Sequence, residues 1–342
     1  MLGVRPPQLL KGLALDAAAE IGWRLGATRP ERCHAERLTV LTFHRVLPES
    51  QRARYPYPGL AVTPEQLDAC VRYAIDRYDV GPLTRQLERF TRGEQAGKPL
   101  LAITFDDGQW DNLEHAVPAL ERHGVRATFY VPVDAIERAE LIWHDRLGYA
   151  LLALAEQPAV VQRAFADHGL ALREPSPHDA AQLAKTLPVP ARQALVAEVE
   201  RRAAFACPEW GRLMTWAEVR SLHERGHEIG SHSLSHELMP QLDDARIERE
   251  VSASKARIED AIGAEVKSFC YPNGDSDRRC ESALERAHYH NAVTTRWGTN
   301  GLADGRYGLK RCDVDARKHQ SALGRPSYKR LALRISGLQP NL

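Results

Sequence analysis

The sequence predicts an α/β fold assembled from about seven strand-helix units and broken once by a helical insertion. Short apolar, β-branched runs alternate with capped helices along most of the chain. Residues 145–213 depart from that rhythm, being rich in Ala, Leu, Gln and Glu with prolines between helical stretches. The polar clusters fall where the apolar runs end, which is the edge on which parallel α/β architectures assemble their sites.

Residues 1–37 read as an N-terminal helical segment. Within it, residues 8–26 fit a helix with Leu9, Leu10, Leu13, Ile21 and Leu25 largely to one side, packed on the domain or else lying on a membrane surface. Leu38–Phe43 reads as a buried strand that delivers His44 and Arg45 at its end, followed by a loop with Pro48, Pro56 and Pro58. Thr63 and Gln66 make a capping-box pattern opening a helix to about Arg77. Tyr78–Val80 is a brief strand, Leu83–Arg92 a helix and Leu100–Phe105 a strand. A helix over Asn112–His123, closed by Gly124, leads to a strand at Ala127–Val131. After the insertion the alternation resumes with a helix at Thr215–Arg225, a strand at Glu228–Gly230 and a helix from Asp243 to Ile262. Strand Val266–Tyr271, helix Asp277–His288 and strand Asn291–Thr295 complete the series. The main domain thus spans 38–315, leaving 316–342 as a C-terminal helix or tail. The unit count is too high for a ferredoxin-like fold and compatible with a parallel barrel or a doubly wound sheet.

The 342 residues, 43% hydrophobic and 27% charged, suit an ordinary globular protein. Lys plus Arg (46) nearly cancels Asp plus Glu (45), so no net basic field favours nucleic acid. Cys33, Cys70, Cys207, Cys270, Cys280 and Cys312 include no CxxC pair, which argues against a zinc knuckle or a thioredoxin-like motif. The N-terminus lacks the h-region of a secretory signal and no run is long enough to span a bilayer, so the expected location is the cytoplasm. Oligomeric state is not legible.

The chemistry-bearing groups are His44, Asp106-Asp107-Gly108, His232 to His236 (HSLSH), Tyr271 to Gly274 (YPNG) and Arg311. Two histidines four apart chelate one ion if they share a helical turn. HSLSH lacks the glutamate that HExxH uses as a base, so a third ligand and a base must come from elsewhere. Asp106 and Asp107 supply both, because adjacent residues leaving a strand point in different directions. Taken singly, Asp-Asp-Gly and Pro-Asn-Gly are also ordinary turns.

ITFDDG (103–108), GHEIGSHSLSH (226–236) and FCYPNGD (269–275) resemble the three principal motifs of the polysaccharide deacetylase family, also called the NodB-homology or carbohydrate esterase family 4 fold. The resemblance spans about residues 38–315. TFHRVLP (42–48) and WHDRL (143–147) are similar to the branch found in exopolysaccharide loci. It implies a distorted (β/α) barrel of about seven strands. It also implies that Asp107, His232 and His236 bind a divalent metal, usually zinc and sometimes cobalt or nickel, with Asp106 as the base. The oxyanion donor would be the backbone N–H of Asn273, with Gly274 keeping that turn open. The best-known members carry an arginine where this chain has Cys270; Arg311, placed after a late strand, is the expected substitute. His44 is the expected general acid, because His319 lacks the apolar strand that precedes the family's C-terminal histidine. The substrate so implied is an N-acetylated carbohydrate. O-deacetylation, deformylation and carbohydrate binding without turnover are the competing functions.

Overall fold

The computed structural model describes residues 6–94, 97–205, 207–315 and 319–338. In chain order the strands are β1 (Leu38–Phe43), β2 (Arg45–Val46), β3 (Ala61–Val62), β4 (Asp79–Gly81), β5 (Leu100–Phe105), β6 (Thr128–Val131), β7 (Glu228–Ser231), β8 (Ser268–Cys270), β9 (Asn291–Trp297) and β10 (Leu309–Asp313). Seven of them form a closed parallel barrel in the order β1-β10-β9-β8-β7-β6-β5, with β5 pairing back onto β1 along its whole length. β4 pairs with the first half of β5, at Leu100–Ala102, and β6 with the second half, at Thr104 and Phe105. The expected (β/α)7-type barrel is therefore present, with one additional short strand wedged at its rim.

Alternation along the strands sorts side chains to two sides. Leu38, Val40, Leu100, Ala102, Tyr130, Cys270, Val293 and Leu309 form one buried cluster inside the barrel. Leu41, Leu101, Ile103, Phe105 and Phe129 belong to the larger core beneath the helices. The helix Leu83–Thr91 plugs the N-terminal mouth: Leu83 N donates to Thr128 Oγ1 at 2.9 Å and Thr84 N to a Glu228 carboxylate oxygen at 3.1 Å. Glu228 also accepts from Thr128 Oγ1 at 2.7 Å, so the polar floor of the barrel is internally satisfied. Polar residues at the opposite, C-terminal mouth build the site.

Three expectations need correction. The helix expected over Asn112–His123 opens with a π turn, Asn112–Ala116, and is α-helical only over Val117–Arg122. Pro118 removes one backbone donor and crowds the preceding turn, and a widened turn absorbs both. The insertion begins at Trp143, two residues earlier than the pattern placed it, because that residue opens the helix Trp143–Ala153. Three further helices (Pro158–Asp167, Pro177–Ala184 and Val189–Ala203) enclose a separate cluster that includes Leu147, Leu151, Phe165, Leu195 and Val199. The proline-rich loop after His44 contains β2 and β3, which pair in parallel.

The N-terminal helix Pro6–Arg24 packs on the C-terminal helix Tyr328–Ile335, with Trp23 edge-on to Tyr328 at 5.3 Å. Among the described residues no helix is long and apolar enough to cross a membrane.

Gly230 of β7 lies against the Tyr130 ring, and a Cβ there would stand 2.5 Å from two ring carbons and 2.9 Å from Ser268 O. Gly230→Ala should lower stability by about 1–3 kcal/mol, read as a lower thermal midpoint; an unchanged midpoint would show that the barrel interior has slack there.

Candidate active site

Asp106 and Asp107 diverge because the backbone turns between them. Asp106 extends β5, its N–H donating to Phe43 O at 3.0 Å. Asp107 adopts φ +72° and Gly108 φ +61°. A left-handed non-glycine residue costs roughly 1–2 kcal/mol and persists where surrounding structure fixes it. Asp107, Ser233, His236 and Asn273 are four of the seven such non-glycine residues among those described, and all four lie in the motifs read from the sequence.

Asp106 is buried and held by two parallel hydrogen bonds from Arg311, Nη1 to Oδ1 at 2.7 Å and Nη2 to Oδ2 at 2.7 Å. Arg311 is itself buried inside the barrel, where its Nε donates to Thr294 O at 2.9 Å and Nη1 to Thr104 Oγ1 at 3.2 Å. Burial works to raise the Asp106 pKa, but the Arg311 guanidinium outweighs it and holds the carboxyl below the usual range. Arg311 lies within β10 rather than after a strand, which corrects the sequence-based placement. Cys270 stands beside it, its Sγ 3.4 Å from Arg311 Nη2, so the small thiol leaves room for an arginine arriving from β10.

Asp107 Oδ1 lies 3.3 Å from His232 Nε2 and 3.3 Å from His236 Nε2. His232 Nδ1 donates to Cys270 O at 2.8 Å, which in the neutral ring leaves the lone pair on Nε2 facing Asp107. Burial pushes His236 down to about 4 and works in the same direction on His232, but Cys270 and the Asp107 carboxylate outweigh it there and raise the His232 pKa above the usual imidazole range. Two ring nitrogens and a carboxylate oxygen thus converge on one point, where a shared cation would take the place of the proton on His232. Two nitrogens and one carboxylate oxygen suit zinc and leave positions open. A second buried group of Asp106, His232 and Cys270 could also hold an ion by composition. It fits poorly, because Arg311 occupies both Asp106 oxygens and burial raises the Cys270 thiol pKa.

The two histidines do not share a helical turn, the arrangement that their spacing allowed. His232 directly follows β7, and His236 ends a loop with φ +65° at Ser233 and +56° at His236. Buried Glu250, on the helix Asp244–Ile262, accepts from Leu234 N at 3.0 Å and Ser235 N at 2.8 Å and so pins the loop. Sequence reasoning missed Glu250. Its signal was present: Glu250 shares the buried stripe of Ile247, Val251, Ser254 and Ile258, where a carboxylate needs a partner. The insertion grips the same loop, with buried Arg192 paired to Glu237 and its guanidinium 5.1 Å from the Trp143 ring centre.

His44 places Nε2 3.8 Å from Asp106 Oδ2, with about a quarter of its side chain exposed toward the mouth. Opposite, His144 Nε2 lies 4.0 Å from Asp107 Oδ2 and 3.7 Å from Asp145 Oδ1. Both histidines hang on one buried network. Arg45 Nε donates to Asp111 at 2.6 Å, Val46 N donates to the same carboxylate at 2.7 Å, and Asp145 accepts from Tyr55 Oη at 2.9 Å and Gln109 Nε2 at 3.1 Å. Asn273 sits in the Pro272–Gly274 turn with φ +60°, and its side-chain oxygen accepts from Lys185 of the insertion at 2.7 Å. Gly274 has φ +79° and no room for a Cβ beside Thr295. His319 is elsewhere, lining a cavity of about 530 Å³ with Cys70, Tyr73 and Tyr328.

The sequence matches the family model described as polysaccharide deacetylase over residues 93–292, more than half of the chain. No curated protein matches it significantly. Among solved structures, the chain is similar in fold to the Streptococcus pyogenes deacetylase PplD in complex with acetate, at 16% identity over 89% of this chain and 99% of that one, with a TM-score of 0.58. IcaB from Ammonifex degensii gives 17% identity, 82% and 93% coverage and a TM-score of 0.54. A de-N-acetylase from Aggregatibacter actinomycetemcomitans gives 16% identity, 84% and 98% coverage and 0.51.

Glu250→Ala should free two loop amides and weaken zinc binding about ten- to a hundredfold. Calorimetric titration of the folded variant giving wild-type affinity would show that the loop does not depend on that carboxylate.

Proposed function

The chain belongs to the polysaccharide deacetylase family, hydrolases of the amide in N-acetylated sugars, and from that premise we propose that it removes acetyl from an amino-sugar unit with Asp106 as general base beside a divalent cation, zinc first, held by Asp107, His232 and His236. The observation that carries this reading is the pairing of one buried carboxylate with Arg311 next to another that converges with two imidazole nitrogens. One carboxylate is kept ionised and the other is left for a metal.

Bound there, a divalent ion would polarise the acetamide carbonyl and acidify a water to a pKa of about 7. Asp106, ionised through Arg311, takes the proton as the water oxygen bonds to the carbonyl carbon. The Asn273 N–H is the proposed donor to the developing oxyanion. His44 is assigned the opposite role, giving a proton to the sugar nitrogen as the C–N bond breaks and releases acetate and a free amine. His44 stands beside the base, with its ring partly exposed where a leaving nitrogen could meet it. The TFHRVLP and WHDRL segments favour an exopolysaccharide or lipid-linked glycan as the substrate.

Two outcomes test the division of labour. Asp106→Asn should lose about a hundredfold or more in turnover while still binding zinc, and His232→Ala should lose the zinc itself. The assay is acetate release from monomeric, oligomeric and lipid-linked N-acetyl sugars, with and without zinc or a chelator. Absence of acetate from every zinc-loaded pairing would remove deacetylation.

Arg311→Ala strips the partner from a buried carboxylate and should lower both turnover and stability, the latter by about 3–5 kcal/mol. If the site needs the charge rather than its origin, adding Cys270→Arg should recover at least about tenfold of the lost turnover. No recovery in a double variant that is as stable as the wild type would show that the β10 approach is itself required.

A further inference from the structure

The N-terminal helix Pro6–Arg24 carries an apolar face toward solvent in addition to the one that buries Ala19 and Trp23. Its acids face the domain: Asp16 accepts from Ala322 N at 2.8 Å and from Arg330 at 3.3 Å, and Glu20 pairs with Lys329. Trp23 and Ala19 are buried against the domain, yet most of the helix's other large apolar residues face solvent. Leu10, Leu13 and Ile21, with Leu25 just beyond the helix, are exposed by 68%, 48%, 57% and 72%. At 3.6 residues per turn these four project within one sector, joined by exposed Ala14 and Ala17. Gly12, on the opposite face, packs directly on Ala322, so the C-terminal segment covers the far side of the helix and leaves the stripe open.

This concentration is local. Seven of the ten exposed large hydrophobic side chains among the described residues lie on this helix, its C-terminal end or the segment 319–338 packed against it. A contiguous apolar surface of that kind marks a binding face rather than scattered exposure. Charge indicates what it binds. Residues 9–25 and 319–338 carry six basic and two acidic side chains, an excess of four in a chain whose formal net charge is +1. Asp16 pairs with Arg330, and Glu20 with Lys329 and with Arg24 of its own helix, whereas Lys11 and Arg325 are exposed. An acid-free apolar stripe with a basic flank suits the interface of an anionic bilayer, where leucines enter the acyl boundary and cations meet headgroups.

We propose that the solvent-facing stripe Leu10–Leu13–Ile21–Leu25 docks this protein in plane on an anionic lipid surface, holding the enzyme against the membrane. The full chain should co-sediment with vesicles of phosphatidylcholine containing about one third phosphatidylglycerol, and more weakly with pure phosphatidylcholine. Leu13→Asp combined with Ile21→Asp should reduce the vesicle-bound fraction at least about tenfold, while thermal midpoint and acetate release from a soluble substrate stay at wild-type values. If that variant is unstable, Lys11→Glu with Arg325→Glu replaces it and should weaken binding selectively to the anionic vesicles. Wild-type protein left in the supernatant with both vesicle types, or apolar variants that sediment like wild type, would overturn the proposal. So would a wild-type dimer in sedimentation velocity that the apolar substitutions dissociate, since the stripe would then be covered by a second copy.

Discussion

The buried pairing of Arg311 with Asp106 is the constraint on which the rest of the site depends. Two adjacent carboxylates under a closed barrel mouth cannot both remain ionised without compensation, because burial and mutual repulsion each favour the protonated form. Arg311 compensates Asp106 with two hydrogen bonds and is itself tied to Thr294 and Thr104. Asp107 is thereby left as the one carboxylate whose charge is answered only by imidazoles. The different surroundings of the two carboxylates are thus a consequence of which oxygen atoms the guanidinium occupies.

That pairing requires the barrel to close. Arg311 reaches inward only because β10 lies between β1 and β9, and Asp106 meets it only because β5 pairs back onto β1. The interior is graded to permit this crossing. Apolar side chains fill the middle, hydroxyls around Glu228 satisfy the floor, and Cys270 keeps a small volume where the guanidinium passes. Around that rigid frame the catalytic loops are strained, with left-handed backbone at Asp107, Ser233, His236 and Asn273. Such conformations persist when neighbours over-determine them. Here Glu250 holds the loop amides from one side, and Arg192 holds Glu237 from the other.

The insertion belongs to the same logic. Its own apolar cluster lets it fold as a unit, while Asp145, Lys185 and Arg192 reach back to the barrel mouth at three places. His144 and Trp143 therefore stand beside the motif residues as parts of the wall. What the wall admits is set by these contacts, and they join residues far apart in sequence.

The alternation of apolar runs and capped helices, read directly, placed nearly every barrel strand and fixed the fold class, because those periodicities are local and each strand or helix must bury one face. That Asp106, Asp107, His232 and His236 gather in one place was legible for a similar reason: each motif sits at a strand end, on the same mouth of the barrel. The Thr63–Gln66 capping box was legible from four residues alone. Tertiary structure decided the rest. HSLSH looked compatible with a helical turn, yet the pull of Asp107 and Glu250 sets it as a strained loop. Glu250 could be suspected as a carboxylate on an apolar stripe, but its partners could not be named. Arg311 could be nominated by charge, whereas its contact with Asp106 across 205 residues exists only because the sheet closes on itself. Spacing along a chain records neighbours on one element; neighbours across a barrel are decided by the order in which its strands pair.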